Sequence, residues 1–138
     1  MNVGEKLSKV EKFVTEDHVN RYADVSGDRN PIHVDTEFAA TSRFGRKIAH
    51  GMMVASTISE MMTQTFGQQW HQSGSMKLRF KAPVFPGDQI VASGIVESIK
   101  KVNAITEVVC SVQVTKINGE KTIIGEVKVE IGQSISES

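Results

Sequence analysis

The 138-residue sequence predicts an α+β fold, one long buried helix followed by an antiparallel meander of four strands. Two patterns carry that prediction. From Ile48 to Met76 the only charged residue is Glu60, and apolar side chains recur at steps of three and four. From Met76 onward apolar and polar residues alternate instead, which is the period of half-buried strands.

The first expected element is a short helix. Thr15 is a helix-capping residue type, and Glu16, Asp17, Val19, Tyr22 and Ala23 suit a helix running to about Val25. Its start signal is partial, because His18 rather than a glutamate stands three residues after Thr15. Asp35 to Thr41 suits another short helical turn. In the central segment Ile48, Met52, Ala55, Ser59, Met62 and Phe66 share one helical face, and Val54, Ile58 and Met61 form a second beside it. A helix of about 18 residues that is apolar on most sides needs other structure around it. His50, Ser56, Thr57, Ser59, Glu60, Thr63 and Gln64 make it a poor membrane span.

The strands follow. Met76, Leu78 and Phe80 alternate with Lys77, Arg79 and Lys81, one face in and one face out. Pro83 and Pro86-Gly87 separate that strand from the next, Gln89 to Ile99. Val108, Cys110, Val112 and Val114 mark a third strand, and Ile123, Gly125, Val127, Val129 and Ile131 a fourth. Asn118-Gly119 signals a type I′ hairpin, whose two central residues both need positive φ. Lys100 to Asn103 is expected to turn the preceding pair. The four strands read as a meander. No linker or repeat divides the chain, so residues 1–138 read as one domain with a frayed tail over 133–138.

Composition narrows the function. Sixteen basic and sixteen acidic residues leave no net charge, hence no basic field for nucleic acid and no polybasic membrane patch. A single cysteine, Cys110, allows neither an internal disulfide nor a thiolate metal cluster, and its place among alternating valines makes it core. The polar start Met1-Asn2-Val3-Gly4-Glu5-Lys6 lacks the apolar core of a signal peptide, so a cytoplasmic protein is expected.

Chemistry-bearing residues crowd the stretch Tyr22 to His33. Gly27, Asn30 and Pro31 predict an ordered turn that can hold the Asp28 carboxylate and the His33 imidazole on one side of the backbone. Such a pair can grip a water and move its proton. At Arg46 to Met52 a polar loop enters the buried helix, leaving free N–H groups at its first turn. Gly51 allows close approach there, which suits an oxyanion hole for a carbonyl.

Ser26-Gly27-Asp28-Arg29-Asn30-Pro31-Ile32-His33 followed by Ile48-Ala49-His50-Gly51-Met52 resembles the MaoC-like (R)-specific enoyl-CoA hydratase family. The stretch from Phe80 to Asp88 is similar to a loop common in these proteins. The resemblance implies a hot dog fold and a homodimer with a continuous sheet. It also implies reversible hydration of a trans-2-enoyl thioester, carried on coenzyme A or acyl carrier protein, to the (R)-3-hydroxyacyl thioester, with no metal and no redox cofactor. It places the catalytic pair on Asp28 and His33, the carbonyl-binding amide on Gly51, and a supporting serine on Ser59. Asn30 falls on the motif asparagine, read as holding the loop and the water.

Plainer readings stand beside these. Five of the six methionines lie between Met52 and Met76; ordinary core filling competes with an acyl-chain tunnel formed by Met52, Met53 and Met62. Lys77, Arg79 and Lys81 are a solvated strand face or, with Arg46 or Lys47, meet the phosphates of coenzyme A. His50 reads as a helix-start histidine satisfied by backbone, with a ligand-side residue as the alternative, and His18 and His71 as solvated surface. A metal site from Asp28, Asn30, His33 and Asp35 fits no calcium-loop spacing. Three rival functions remain: a (3R)-hydroxyacyl-acyl carrier protein dehydratase, a thioesterase driven by Glu60, and a non-catalytic acyl-thioester-binding subunit, which would lack the Asp28/His33 pair.

Overall fold

A computed structural model describes residues 1–132; the tail expected over 133–138 lies outside the described residues. The chain runs β1 (Val10–Phe13), α1 (Glu16–Ser26), α2 (Pro31–Val34), α3 (Thr36–Ala40), α4 (Gly51–Phe66), α5 (Gln68–Ser73), β2 (Ser75–Phe80), β3 (Gln89–Val102), β4 (Ile105–Lys116) and β5 (Lys121–Gly132). The five strands form one antiparallel sheet in the order β1-β3-β4-β5-β2.

The central helix is shorter than its apolar pattern. Ile48 and Ala49 are held extended, because their N–H groups donate to Ile32 O at 3.2 Å and Val84 O at 2.7 Å. Helix α4 therefore starts at Gly51 and has 16 residues. It lies against β1, β3 and β4. Ile58, Met61 and Met62 are fully buried there in one core with Ile90, Val96, Val108, Val114, Ile123, Val127 and Val129. Each such side chain contributes about 1.5–3 kcal/mol by leaving water, so this layer dominates the fold's stability. The alternation read for β4 holds: Val108, Cys110, Val112 and Val114 are all buried.

Four features depart from the sequence reading. Only β3, β4 and β5 form the expected meander; β2 pairs with β5 at the far edge, Ser75 opposite Lys128 and Phe80 opposite Ile123. The link from Lys81 to Asp88 makes this possible. Eight residues reach roughly 26 Å when extended, whereas three strand spacings cover only ~14 Å. As an edge strand, β2 leaves its apolar side uncovered, with Met76 39% and Phe80 53% exposed.

The second departure is the β4–β5 turn. Gly119 alone has positive φ (93°), and its N–H donates to Lys116 O at 2.8 Å. This is the three-residue loop with a glycine bulge rather than a type I′ turn. Third, the β3–β4 turn falls later than expected, between Val102 and its partner Ile105, with Asn103 at φ 58°. Fourth, β1 and α5 have four and six residues, too few to establish a period of their own.

Candidate active site

Capping residues build the site loop. Gly27, at φ 79°, ends α1 by donating its N–H to Ala23 O. Asp28 N then donates to Ser26 Oγ at 3.1 Å, and Asp28 Oδ1 accepts from Asn30 N at 3.2 Å. Asn30 caps α2 by accepting Ile32 N at 3.1 Å, and Pro31 occupies the first helical position, where its missing N–H costs nothing. This single turn carries His33 inward, half-buried, while Asp28 stays exposed.

The imidazoles are fixed from the segment before α4. His33 Nδ1 lies 2.8 Å from Ile48 O. A carbonyl only accepts, so Nδ1 carries the proton and the Nε2 lone pair is free. His50 Nε2 lies 2.8 Å from Asp28 O, so there the proton sits on Nε2. The two rings stack, centroids 3.8 Å apart and planes 22° apart, and Tyr22 tilts over His50 at 4.7 Å. His50 is 2% exposed, and its Nδ1 is buried without a partner among the described residues. Leaving such an acceptor unpaired costs about 1–3 kcal/mol.

Asp28, His33 and His50 offer ligand atoms within 4.8 Å of one another. A carboxylate and an imidazole within 4.8 Å of each other can hold a water between them.

Gly51 is the first residue of α4, and its N–H has no acceptor among the described residues. The helix dipole adds partial positive charge at this end. Ile48, Gly51, Val54, Phe80 and Val84 line a cavity of about 510 Å³, with Arg43 and Lys81 as its cations. A Cβ at Gly51 would stand 3.1 Å from the Phe80 ring, so glycine keeps the amide open to this cavity.

The structure gathers Asp28, Asn30 and His33 in one turn and links them to Gly51 through His50, which bonds Asp28 O and stacks on His33, although none of the three lines the Gly51 cavity. It does not bring Ser59 to them. Ser59 sits eight residues along α4 from Gly51, about 12 Å away at 1.5 Å per residue, and its Oγ accepts from Trp70 Nε1 at 3.0 Å. The methionine tunnel is not formed by one wall: Met52 is 61% exposed, Met62 is sealed in the core, and Met53 lines a separate small cavity with Phe13 and His18. Of the expected phosphate-binding cations only Lys81 lines the Gly51 cavity. Lys77 and Arg79 border a groove with Glu97 and Glu126, Arg46 donates to Pro86 O, and Lys47 pairs with Glu16.

Sequence reasoning missed Arg43 and Phe80 as cavity residues, since Arg43 lies in no motif and the strand alternation assigns Phe80 to a core face. Cys110 fits its core reading. Burial, helped by the Glu97 charge, pushes its thiol up to about 11, so it stays protonated.

Comparison with known proteins bears on the family and the fold. The family model described as MaoC like domain matches residues 1–118. The chain is 33% identical over 135 residues to an (R)-specific enoyl-CoA hydratase of Aeromonas caviae, covering 95% of this chain and 96% of the relative. It is 36% identical over 99 residues to a mitochondrial 3-hydroxyacyl-[acyl-carrier-protein] dehydratase of Arabidopsis thaliana, covering 72% of this chain and 57% of that one. The solved structure of an (R)-hydratase from A. caviae involved in PHA biosynthesis superposes with a TM-score of 0.79 at 32% identity. That match covers 94% of this chain and 96% of the other, and it carries the hot dog architecture.

Proposed function

The chain belongs to the MaoC-like domain family, and from that footing we propose that it is a hydro-lyase that reversibly hydrates trans-2-enoyl-CoA to (R)-3-hydroxyacyl-CoA. One observation carries the reading: the Asp28 carboxylate and the His33 imidazole offer ligand atoms within 4.8 Å of each other and of His50, which stacks on His33 and directly precedes the Gly51 amide at the start of α4, unpaired among the described residues.

In this mechanism Asp28 and His33 Nε2 hold the water, with Asn30 fixing the loop. His33 takes one proton as the oxygen bonds to C3 of the enoyl group. The Gly51 N–H donates to the thioester carbonyl, where enolate-like charge develops. A proton then reaches C2 through the same pair, so the product gains one water. Positioned acid–base groups supply roughly 10²–10⁴ in rate, and an oxyanion donor roughly 10²–10³.

The same residues run the step in reverse, so a (3R)-hydroxyacyl-acyl carrier protein dehydratase is the second reading. Both carriers present a phosphopantetheine arm, and Arg43 and Lys81 beside the Gly51 cavity suit its phosphate. The thioesterase reading is weakened, because Glu60 pairs with Lys12 at 3.0 Å and stands about 13 Å along α4 from Gly51.

We place this activity in one domain and in a homodimer. The free edge of β2 and the exposed Met52, Met76 and Phe80 support a second copy there. No helix among the described residues is long and apolar enough to cross a membrane, and a cytoplasmic setting completes the proposal.

The test is incubation with crotonyl-CoA, following both the enoyl absorbance and free thiol. The expected result is loss of the double bond without thiol release. Thiol release at a comparable rate would replace the hydratase by a thioesterase.

A further inference from the structure

Residues 24–31, which include Asp28, are all exposed, so no packing fixes the carboxylate. The hydrogen bonds that shape this loop stay between Tyr22 and Asp35, with one exception among the described residues. The exception is His50, whose buried ring donates Nε2–H to Asp28 O. His33 is tied to the same short segment twice, through Ile48 O and through its stack on His50. That segment also ends in the Gly51 amide, and bonds to Ile32 O and Val84 O pin its start. Four consecutive residues, Ile48 to Gly51, thus fix all three working groups relative to one another.

Resting on the hydratase reading, we infer that His50 is a positioning residue. It registers Asp28 and His33 against the Gly51 amide and so sets kcat without touching substrate. Its unpaired Nδ1 argues the same way, since an apolar side chain would fill this buried position without stranding an acceptor. The imidazole is accounted for by what Nε2 and the ring face do. Misplacement of a reacting group by about 1 Å can cost 10²-fold in rate, so residues 24–31, which among the described residues bond beyond their own turn only through His50, should be sensitive to losing it.

The experiment compares His50→Met with His50→Gln in the full chain. Both give up the ring, and both are of similar length, but only Gln keeps an N–H able to reach Asp28 O. The readouts are kcat and KM with crotonyl-CoA and the backbone order parameter of Asp28 by NMR relaxation. His50→Met is expected to lower kcat by about 10- to 100-fold with KM within about threefold. The Asp28 amide should fall from the rigid range near ~0.85 to below ~0.6. His50→Gln should restore the order parameter and bring kcat to within about fivefold of the parent. Three results overturn the proposal: turnover within twofold in the Met variant, an unchanged Asp28 order parameter in it, or a Gln variant as slow as Met. If the Met variant does not fold, the Gln variant decides alone by its kcat and order parameter. If the parent hydrates no enoyl thioester, the hydratase reading falls. The order parameters still decide whether His50 holds Asp28.

Discussion

The two ends of α4 are made from similar residues and solve opposite problems. At the carboxyl end Met61, Met62 and Phe66 are buried with Trp70 of α5, and the hydroxyls there are matched: Ser59 Oγ accepts the indole N–H of Trp70, while Thr63 and Thr65 donate to Ser59 O and Met61 O. At the amino end Gly51 and Met52 are exposed, and neither the Gly51 amide nor the buried His50 Nδ1 has a partner among the described residues. One end stores stability by leaving nothing unpaired. The other leaves polar groups free beside a cavity, which is what a site needs and what a core avoids.

The largest expected effect tests the amino end. Asp28→Asn or His33→Ala should lower kcat on crotonyl-CoA by at least ~10², the usual scale for positioned acid–base groups. The melting temperature should shift by only a few degrees, because Asp28 is exposed and His33 half-buried. Steady-state kinetics beside a thermal melt checks both halves of the claim. A variant that keeps normal turnover removes its residue from the mechanism.

The amino end was also the more legible in sequence. Gly27, Asn30 and Pro31 are turn and cap residues whose local preferences suffice to build the loop, so the placement of Asp28 and His33 could be read from neighbours in the chain. The long-range features could not. That β2 crosses to the far edge depends on the path of the Lys81–Asp88 link, and no local period encodes a strand's partner. The His50 bond to Asp28 spans 22 positions and looks in sequence like any helix-start histidine. Apolar periodicity marked α4 as buried but did not say which end stays open, because Met52 and Met62 are the same residue type on the same helical face.

Met62→Ala tests the packed end. Removing a fully buried methionine should cost about 2–5 kcal/mol, a fall in melting temperature on the order of ten degrees. The kcat on crotonyl-CoA should stay within about threefold, since Met62 lines no part of the Gly51 cavity. Thermal melts and kinetics on the folded fraction check this. A large loss of kcat with little loss of stability would place Met62 among the working residues and blur the contrast between the two ends.

Ser59→Ala should give the smallest effect and the sharpest one. Its hydroxyl is half-buried and accepts one hydrogen bond, from Trp70 Nε1. Losing that bond should cost about 1 kcal/mol, raised if the indole N–H then stays dry. Turnover of crotonyl-CoA should remain within twofold. The resemblance to the hydratase family instead gives this serine a place in support of the site. Ser59 and Met62 stand three residues apart on α4, one turn of the same face, so an acyl chain reaching one would reach the other. Comparing crotonyl-CoA with an eight-carbon enoyl-CoA separates the two roles. A hydroxyl that only serves Trp70 leaves the ratio of kcat/KM for the two substrates unchanged. If the ratio moves in Ser59→Ala and in Met62→Ala alike, the acyl chain passes between α4 and the sheet, and the closed end of the helix opens during turnover.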